Sequence, residues 1–166
     1  MKLRIAGTVN DSIVDGYGLR FAIFTQGCPH HCAGCHNPHT HDFSGGEDVD
    51  TSDLLNQIMS NPLLDGVTFS GGEPFCQPRQ LAELGKMVKN IGLNVITYTG
   101  YTFDELVQTE DPAIMDLLSI TDILIDGPFI ESKRSYELEF RGSSNQRILD
   151  VAKSIECGHA IKYEAD

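Results

Sequence analysis

The sequence has little positive charge. Its 166 residues contain 12 Lys and Arg against 24 Asp and Glu, so that the formal net charge is −12 at pH 7. Proteins that bind nucleic acid irrespective of its sequence need a positive surface, and this charge argues against such a partner. A local basic patch could still form, since Lys133, Arg134, Arg141 and Arg147 are close together in the chain.

The sequence also lacks a long apolar run. No stretch approaches the roughly 20 residues that a membrane-spanning helix requires, and no membrane partner is expected. The first residues, MKLRIAGTVND, contain no apolar segment of the kind found in signal peptides. We therefore expect a cytoplasmic protein. Thiols stay reduced in the cytoplasm, where clustered cysteines more often bind metal than form disulfides.

The length limits the choice of fold. A chain of 166 residues supports one well-packed domain, and we expect that domain to span residues 1–166. A complete eight-fold β/α barrel typically takes about 250 residues. Short apolar runs alternate with segments of helical periodicity, which favours βα units and a mainly parallel sheet. We predict an α/β fold, an abbreviated or partial β/α barrel of about five or six mostly parallel strands.

The individual elements follow from periodicity and capping signals. The predicted strands comprise residues 3–9, 19–25, 67–70, 94–99, 122–126 and, more weakly, 146–151. The predicted helices comprise residues 51–61, a helix from Pro78 to a stop at Gly92, a short helix capped by Thr102 and Glu105, and a helix opened by Asp111 and Pro112.

Four glycine-containing loops each follow the carboxyl end of a predicted strand. They contain Gly27, the pair Gly71 and Gly72, Gly100 and Gly127. In parallel sheets and barrels, ligands bind at this edge of the sheet. All four loops are therefore predicted to face one site.

The first of these loops carries an unusual set of metal-binding residues. In GCPHHCAGCHNPHTH, Cys28, Cys32 and Cys35 follow the spacing C-x3-C-x2-C. A cubane [4Fe–4S] cluster takes one thiolate per iron, so three thiolates would leave its fourth iron open to a ligand. Cys76 could complete a set of four, but Cys76 and Cys157 are better described as buried free thiols.

A zinc site is the alternative interpretation of the same loop. Zinc prefers four ligands, and His31, His36 or His39 could supply the fourth. Zinc sites in small domains usually combine two separated ligand pairs, whereas no second C-x-x-C or H-x-x-H follows here. This interpretation would make the chain a non-catalytic zinc-binding interaction module.

The cysteine spacing, followed by GGEP after the next strand, resembles the radical S-adenosylmethionine superfamily. The segments IVDGYGLRFAIFTQGCPHHCAGCHNPHTH, VTFSGGEPFCQ, TYTGY, DGPF and RGSSNQR are similar to the activating components of anaerobic ribonucleoside-triphosphate reductases. The resemblance implies a [4Fe–4S] cluster on Cys28, Cys32 and Cys35, with S-adenosylmethionine as cosubstrate on the open iron. Reductive cleavage would then give a 5′-deoxyadenosyl radical and finally a glycyl radical on the reductase.

The resemblance also assigns residues to the cosubstrate. It implies that the turn at Gly71 and Gly72 contacts the amino group of the ligand, with Glu73 as an acceptor for the ammonium. Asp126 ends a strand and could face the site, although a plain turn explains it equally well.

The adenine contact departs from the superfamily pattern. Many members have an aromatic residue before the third cysteine, where this chain has Gly34. Backbone groups around Gly34 and Cys35, or the ring of His36, could serve instead. The segment RGSSNQR, residues 141–147, could bind the carboxylate or ribose of the ligand, contact a partner or form a solvated loop.

The resemblance finally implies macromolecular partners. These are the glycyl-radical subunit of the reductase and an electron donor such as reduced flavodoxin, while a homodimer is one option for the oligomeric state. A related alternative is activation of another glycyl-radical enzyme such as formate C-acetyltransferase, whose activators are usually longer.

Overall fold

Residues 1–164 are described by a computed structural model, in which they form one seven-stranded sheet. The strands are β1 (Lys2–Ser12), β2 (Arg20–Thr25), β3 (Glu47–Asp50), β4 (Gly66–Gly71), β5 (Asn94–Tyr98), β6 (Ile123–Asp126) and β7 (Arg147–Asp150). Their order in the sheet is β3-β1-β2-β4-β5-β6-β7. The central strands β2, β4, β5 and β6 run parallel. The outer strands β1, β3 and β7 pair antiparallel with their neighbours.

Five α-helices accompany the strands within the described residues. They are α1 (Thr51–Met59), α2 (Pro78–Asn90), α3 (Phe103–Gln108), α4 (Pro112–Ile120) and α5 (Val151–Cys157). The predicted capping box is confirmed, because Thr102 and Glu105 each bond to the backbone of the other. Asp111 caps α4 by accepting a hydrogen bond from the Ala113 amide. None of the helices in residues 1–164 is long and apolar enough to cross a bilayer.

The two faces of the sheet are covered differently. Phe21, Ile23 and Phe69 belong to a large core that also contains the apolar faces of all five helices. Successive side chains of a strand point to opposite faces of the sheet, so every second residue of each strand lies on the face away from this core. There Ile96 and Ile125 pack with rings from loops and from the C-terminal segment. Helices therefore cover one face, and loops cover the other.

Arg20 fastens one of these loops to the sheet. Its side chain is fully buried and donates hydrogen bonds to Thr68 Oγ1 at 2.7 Å, the Tyr17 carbonyl at 2.9 Å and the Val67 carbonyl at 2.8 Å. Burial lowers the pKa of Arg20 to about 10, and the guanidinium is still charged at neutral pH. The loop of residues 13–19 is thus held against the face of the sheet that lacks helices.

The predicted α/β class is confirmed, and the strand count is corrected to seven in the described residues. All six predicted strands are present, with bounds shifted by up to three residues. The missed strand β3 has the sequence EDVD, in which a single apolar residue gives no alternating pattern. It pairs with β1 as an edge strand. The two outermost strands, β3 and β7, do not pair with one another within residues 1–164, so the described sheet is open.

Candidate metal and cofactor site

A cavity of about 520 Å³ opens at the carboxyl edge of the parallel strands. Its lining includes Phe24 of β2, Gly71 of β4, Tyr98 of β5 and Gly127, which follows β6. This volume lies within the usual range for small-molecule sites, about 300–1,000 Å³. The prediction that the glycine-containing loops face one site is confirmed.

Cys28, Cys32 and Cys35 all line this cavity as free thiols. Within residues 1–164, however, no group of three or more Cys, His, Asp or Glu side chains is arranged closely enough to hold a metal ion. A tetrahedral zinc site needs its ligands to converge on one point, whereas a cubane needs one thiolate near each of several irons. Three thiols on one loop that line one cavity are the donor set that three irons of a cubane would take.

The loop that carries the thiols is closed at its base by backbone hydrogen bonds. The Gly27 amide donates to the Thr40 carbonyl at 2.7 Å, and the Cys28 amide donates to the His41 carbonyl at 3.2 Å. Within the loop, the Asn37 amide donates to Cys35 Sγ at 3.4 Å. Amide donors to a ligand sulfur influence the reduction potential of an iron–sulfur cluster.

Burial raises the pKa of the Cys28 thiol. A metal ligand must be deprotonated, so cluster assembly at this residue has to release a proton.

The turn at Gly71 and Gly72 lines the cavity, but packing already explains its glycines. A Cβ at Gly71 would lie 2.4 Å from the Thr25 amide nitrogen, and Gly71 has a φ of +100°. A Cβ at Gly72 would lie 2.4 Å from the carbonyl oxygen of Gly27. Both positions thus need glycine because they press against the end of β2 and the cysteine loop. Contact of this turn with the amino group of a ligand stays a prediction.

Glu73 is placed differently from what the resemblance implies. Its side chain is fully buried and is not part of the cavity lining. The carboxylate accepts hydrogen bonds from Thr99 Oγ1 at 2.9 Å, the Gly100 amide at 2.8 Å and the Phe75 amide at 3.0 Å, and it lies 2.6 Å from His30 Nε2. Glu73 therefore joins the cysteine loop to the loops after β4 and β5 and is not open to an ammonium group.

Asp126 is also engaged inside the protein. Its buried carboxylate accepts hydrogen bonds from the Phe103 amide at 2.7 Å and from Arg147 Nε and Nη2 at 3.0 and 2.6 Å. The hydrogen bonds to Asp126 raise the pKa of Arg147. Asp126 is absent from the cavity lining, whereas its neighbour Gly127 contributes to it, and contact of Asp126 with the ligand stays a prediction.

Residues 141–147 are hydrogen-bonded into the wall of the cavity and do not form a solvated loop. Gln146 Oε1 accepts hydrogen bonds from the amides of Gly142 at 2.8 Å and Ser143 at 3.2 Å. Gln146 Nε2 donates to the Gly127 carbonyl at 3.1 Å, which ties this segment to the turn after β6. Arg141, Gly142 and Gln146 line the cavity, whereas Ser143 is fully buried behind it.

Comparison with known proteins decides the family. A protein-family profile described as a 4Fe-4S single cluster domain matches residues 14–149. The anaerobic ribonucleoside-triphosphate reductase-activating protein of Escherichia coli (strain K12) is 34% identical over 145 residues, which cover 81% of this chain and 90% of that protein. The protein of the same description from Haemophilus influenzae is 35% identical over 147 residues, covering 82% of this chain and 90% of the relative. The chain belongs to the anaerobic ribonucleoside-triphosphate reductase-activating protein family.

Two proteins of other descriptions are also similar to this chain. The pyruvate formate-lyase-activating enzyme of Clostridium pasteurianum is 34% identical over 128 residues, which cover 72% of this chain but 54% of that enzyme. The crystal structure of QueE from Escherichia coli matches with a TM-score of 0.51 and 23% identity over 61% of this chain and 54% of QueE. The likeness to QueE shows a shared fold only.

The residues predicted to form the site differ in whether they line the cavity. Cys28, Cys32, Cys35, His36, Gly71 and Gly72 line the cavity, whereas Gly34, Glu73 and Asp126 do not. Sequence reasoning missed His30 as the partner of Glu73 and Phe129 as part of the wall. Phe129 is the last residue of the DGPF segment, which follows a predicted strand. Its position at the carboxyl edge of the sheet could therefore have been predicted from the sequence. No local pattern indicated the pairing of His30 with a residue 43 positions away.

Proposed function

We propose that this chain activates an anaerobic ribonucleoside-triphosphate reductase by generating a glycyl radical on that enzyme. The observation that carries the proposal is the grouping of Cys28, Cys32 and Cys35 around one cavity at the carboxyl edge of the parallel strands. The similarity to activating proteins, which extends over 90% of their length, supports it. We propose that the open sheet serves as the partial barrel of the radical S-adenosylmethionine type.

In this proposal the three cysteines hold a [4Fe–4S] cluster. When bound there, the cluster would supply the single electron that reductive cleavage of S-adenosylmethionine requires. The surrounding residues would bind and orient S-adenosylmethionine and exclude water from it. Gly71 and Gly72 let the turn after β4 lie directly against the cysteine loop.

A hydrogen bond and a ring contact hold side chains of the cavity wall in place. Tyr98 Oη donates a hydrogen bond to the Phe140 carbonyl at 2.8 Å, and the Phe140 ring packs edge-on against Tyr17 at 4.7 Å. Burial raises the pKa of Tyr98, which keeps its hydroxyl protonated at neutral pH. These contacts fix the side chains of Tyr98 and Phe140 in the wall of the cavity.

The substrate in this proposal is a glycine in a loop of the reductase. A 5′-deoxyadenosyl radical reacts with nearly any C–H bond, so it must be enclosed while it forms. No helix covers this side of the sheet in residues 1–164, and a partner can supply the missing wall. A glycine suits this role because no side chain blocks its approach. We further propose a cytoplasmic setting and an electron donor such as reduced flavodoxin, with a homodimer as one assembly state.

A second candidate is activation of a glycyl-radical enzyme such as formate C-acetyltransferase. The similarity to the pyruvate formate-lyase-activating enzyme favours this candidate. This chain spans about half the length of that enzyme, which weakens the candidate.

Anaerobic incubation with each partner tests both candidates. The reconstituted protein is mixed with S-adenosylmethionine, a strong reductant and either the reductase or formate C-acetyltransferase, and radicals are read by electron paramagnetic resonance. We expect a stable glycyl radical on the reductase, and no radical when Cys32 is replaced by Ala. Cys157→Ala is the control, because the structure corrects the expectation of buried thiols: Cys157, like Cys76, is exposed. A radical on formate C-acetyltransferase alone supports the second candidate, and deuterium transfer from a small molecule with no protein radical refutes both.

A further inference from the structure

The corner of the cavity beside Gly34 is occupied by a distant part of the chain. The Gly34 carbonyl accepts a hydrogen bond from Arg134 Nη2 at 2.7 Å, across 100 positions of sequence. A Cβ at Gly34 would lie 2.9 Å from that same nitrogen and 3.0 Å from Glu131 Oε1, and Gly34 has a φ of +74°. The connection between β6 and β7 therefore takes the space that a side chain at position 34 would need.

Two backbone groups of this corner are already engaged. The Gly34 carbonyl binds Arg134, and the Cys35 amide donates to the Cys32 carbonyl at 3.1 Å. The ring of His36 lines the cavity beside them.

A second ring stands beside His36. Phe129 also lines the cavity, with its centroid 5.3 Å from that of His36 and the two planes inclined by 64°. The guanidinium carbon of Arg134 lies 5.1 Å from the Phe129 centroid, a cation–π contact. A Cβ at Gly142 would lie 2.9 Å from Phe129 Cδ2, so the backbone there packs closely on the ring. Phe129 is thus held in place by contacts from three segments.

Several other rings of the cavity have contacts elsewhere. His30 is bound to Glu73, Tyr98 donates to the Phe140 carbonyl, and His41 packs edge-on against His31. Phe140 packs against Tyr17 on the face of the sheet that lacks helices. Phe129 and His36 are a pair of neighbouring rings beside the third cysteine, at the end of the cavity bounded by the β6–β7 connection.

We propose that Phe129 and His36 form the wall that receives the purine base of S-adenosylmethionine, with Arg134 as a positioning residue. The inference rests on the proposed function. A purine is flat and polarisable, and it gains contact energy against aromatic rings. The base is neutral and tolerates the neighbouring guanidinium, which the Gly34 carbonyl and the Phe129 ring already engage. Arg134 takes the place of a side chain at Gly34 and fixes the Phe129 ring against the loop that carries the thiols.

Two ligands that differ in the base test this assignment. The protein is reconstituted anaerobically, and dissociation constants for S-adenosylmethionine and L-methionine are measured from changes in the spectrum of the reduced cluster. Phe129→Leu keeps apolar volume but removes the ring. We expect it to weaken S-adenosylmethionine binding by about tenfold, as loss of aromatic contact implies, and to leave L-methionine binding unchanged. Iron and sulfide content should equal that of the wild type.

Two further variants separate the ring contact from general damage to the connection. Arg134→Met should weaken S-adenosylmethionine binding in the same selective way. Lys133→Met, at an exposed neighbour, is the matched control and should change neither constant. Equal losses for both ligands in Phe129→Leu, or an unchanged constant for S-adenosylmethionine, would overturn the assignment. Failure of the proposed function has a different signature, because the wild type would then leave no glycyl radical on the reductase, whatever the variants do to S-adenosylmethionine binding.

A photolabelling experiment tests the same wall without any substitution. The wild-type holoprotein is irradiated with 8-azido-S-adenosylmethionine, whose reactive group is on the base, and the labelled peptides are sequenced. Label on the peptide with Phe129 or on the peptide with His36, suppressed by excess S-adenosylmethionine, is the expected result. Suppressible label found only elsewhere would overturn the assignment.

Discussion

The carboxylate of Glu73, a residue of the GGEP motif, is occupied by hydrogen bonds within the protein. Its partners belong to three segments: His30 in the cysteine loop, Phe75 after β4, and Thr99 and Gly100 after β5. A buried carboxylate is tolerated when hydrogen bonds replace its hydration. The residue that the resemblance assigns to the ligand thus holds the thiol-bearing loop against the sheet.

Replacing Glu73 by Gln tests this role. The substitution keeps the shape of the side chain but turns one acceptor oxygen into a donor that faces other donors. We expect the free energy of unfolding of the apoprotein, measured in urea, to fall by about 1–3 kcal/mol. The exposed Glu137→Gln serves as the control. Normal stability combined with weak S-adenosylmethionine binding would instead place Glu73 at the ligand.

The glycines of the GGEP turn give a second residue-scale prediction. In Gly72→Ala, the new methyl group would meet the Gly27 carbonyl at 2.4 Å, and this backbone cannot move without moving Cys28. We therefore expect a loss of reconstituted iron together with a loss of S-adenosylmethionine binding. Gly7→Ala is the matched control, because a Cβ at Gly7 meets nothing within 4 Å. A full cluster in Gly72→Ala with selectively weakened ligand binding would favour direct contact of the turn with the ligand.

At the scale of elements, the sequence predicted what short-range patterns determine. The start of α3 follows from Thr102 and Glu105, and the start of α4 from Asp111, because caps act within three residues. The cavity edge was also predictable, since strands ending in glycine loops share one edge of a parallel sheet. The wall formed by the β6–β7 connection was not, because its placement depends on contacts such as Arg134 with Gly34, 100 positions apart.

The rigidity of that connection can be tested at Gln146. Its side-chain amide makes three hydrogen bonds, with Gly127, Gly142 and Ser143. Gln146→Ala should speed hydrogen exchange at the Gly142 and Ser143 amides by about tenfold, the effect of losing bonds worth about 1 kcal/mol each. Gln108→Ala, at an exposed helix end, should leave the exchange of both amides unchanged. Unaltered exchange in Gln146→Ala would show that other contacts hold this segment.

At the scale of the whole molecule, one of the side chains that line the cavity is apolar and largely exposed. Val14 is 72% exposed and also lines the cavity, and its neighbour Ile13 is exposed to the same extent. Tyr136 of the β6–β7 connection is 83% exposed. Exposed apolar residues at the mouth of a site are typical of surfaces that meet another protein. This placement agrees with a reductase loop entering from the open side.

Val14→Asp should therefore weaken association with the reductase. A charge in an apolar contact loses hydration without gaining a partner, and we expect the dissociation constant in sedimentation experiments to rise by at least about tenfold. Iron content should not change. Leu63→Asp is the control, since Leu63 is 75% exposed and precedes β4 at the opposite edge of the sheet. Equal effects of both variants would point to charge alone as the cause.

The short strand β3 has a consequence for the protein in concentrated solution. It forms one outer edge of the sheet and carries Glu47, Asp48 and Asp50 around a single valine. Free strand edges are templates for sheet extension between molecules, and like charges on such an edge oppose it. Hydrogen bonds from Ser52 lower the pKa of Asp50 to about 2, so this carboxylate stays ionised in mild acid. Colloidal stability should consequently persist in weakly acidic buffers, in which Asp50 keeps its charge on this edge.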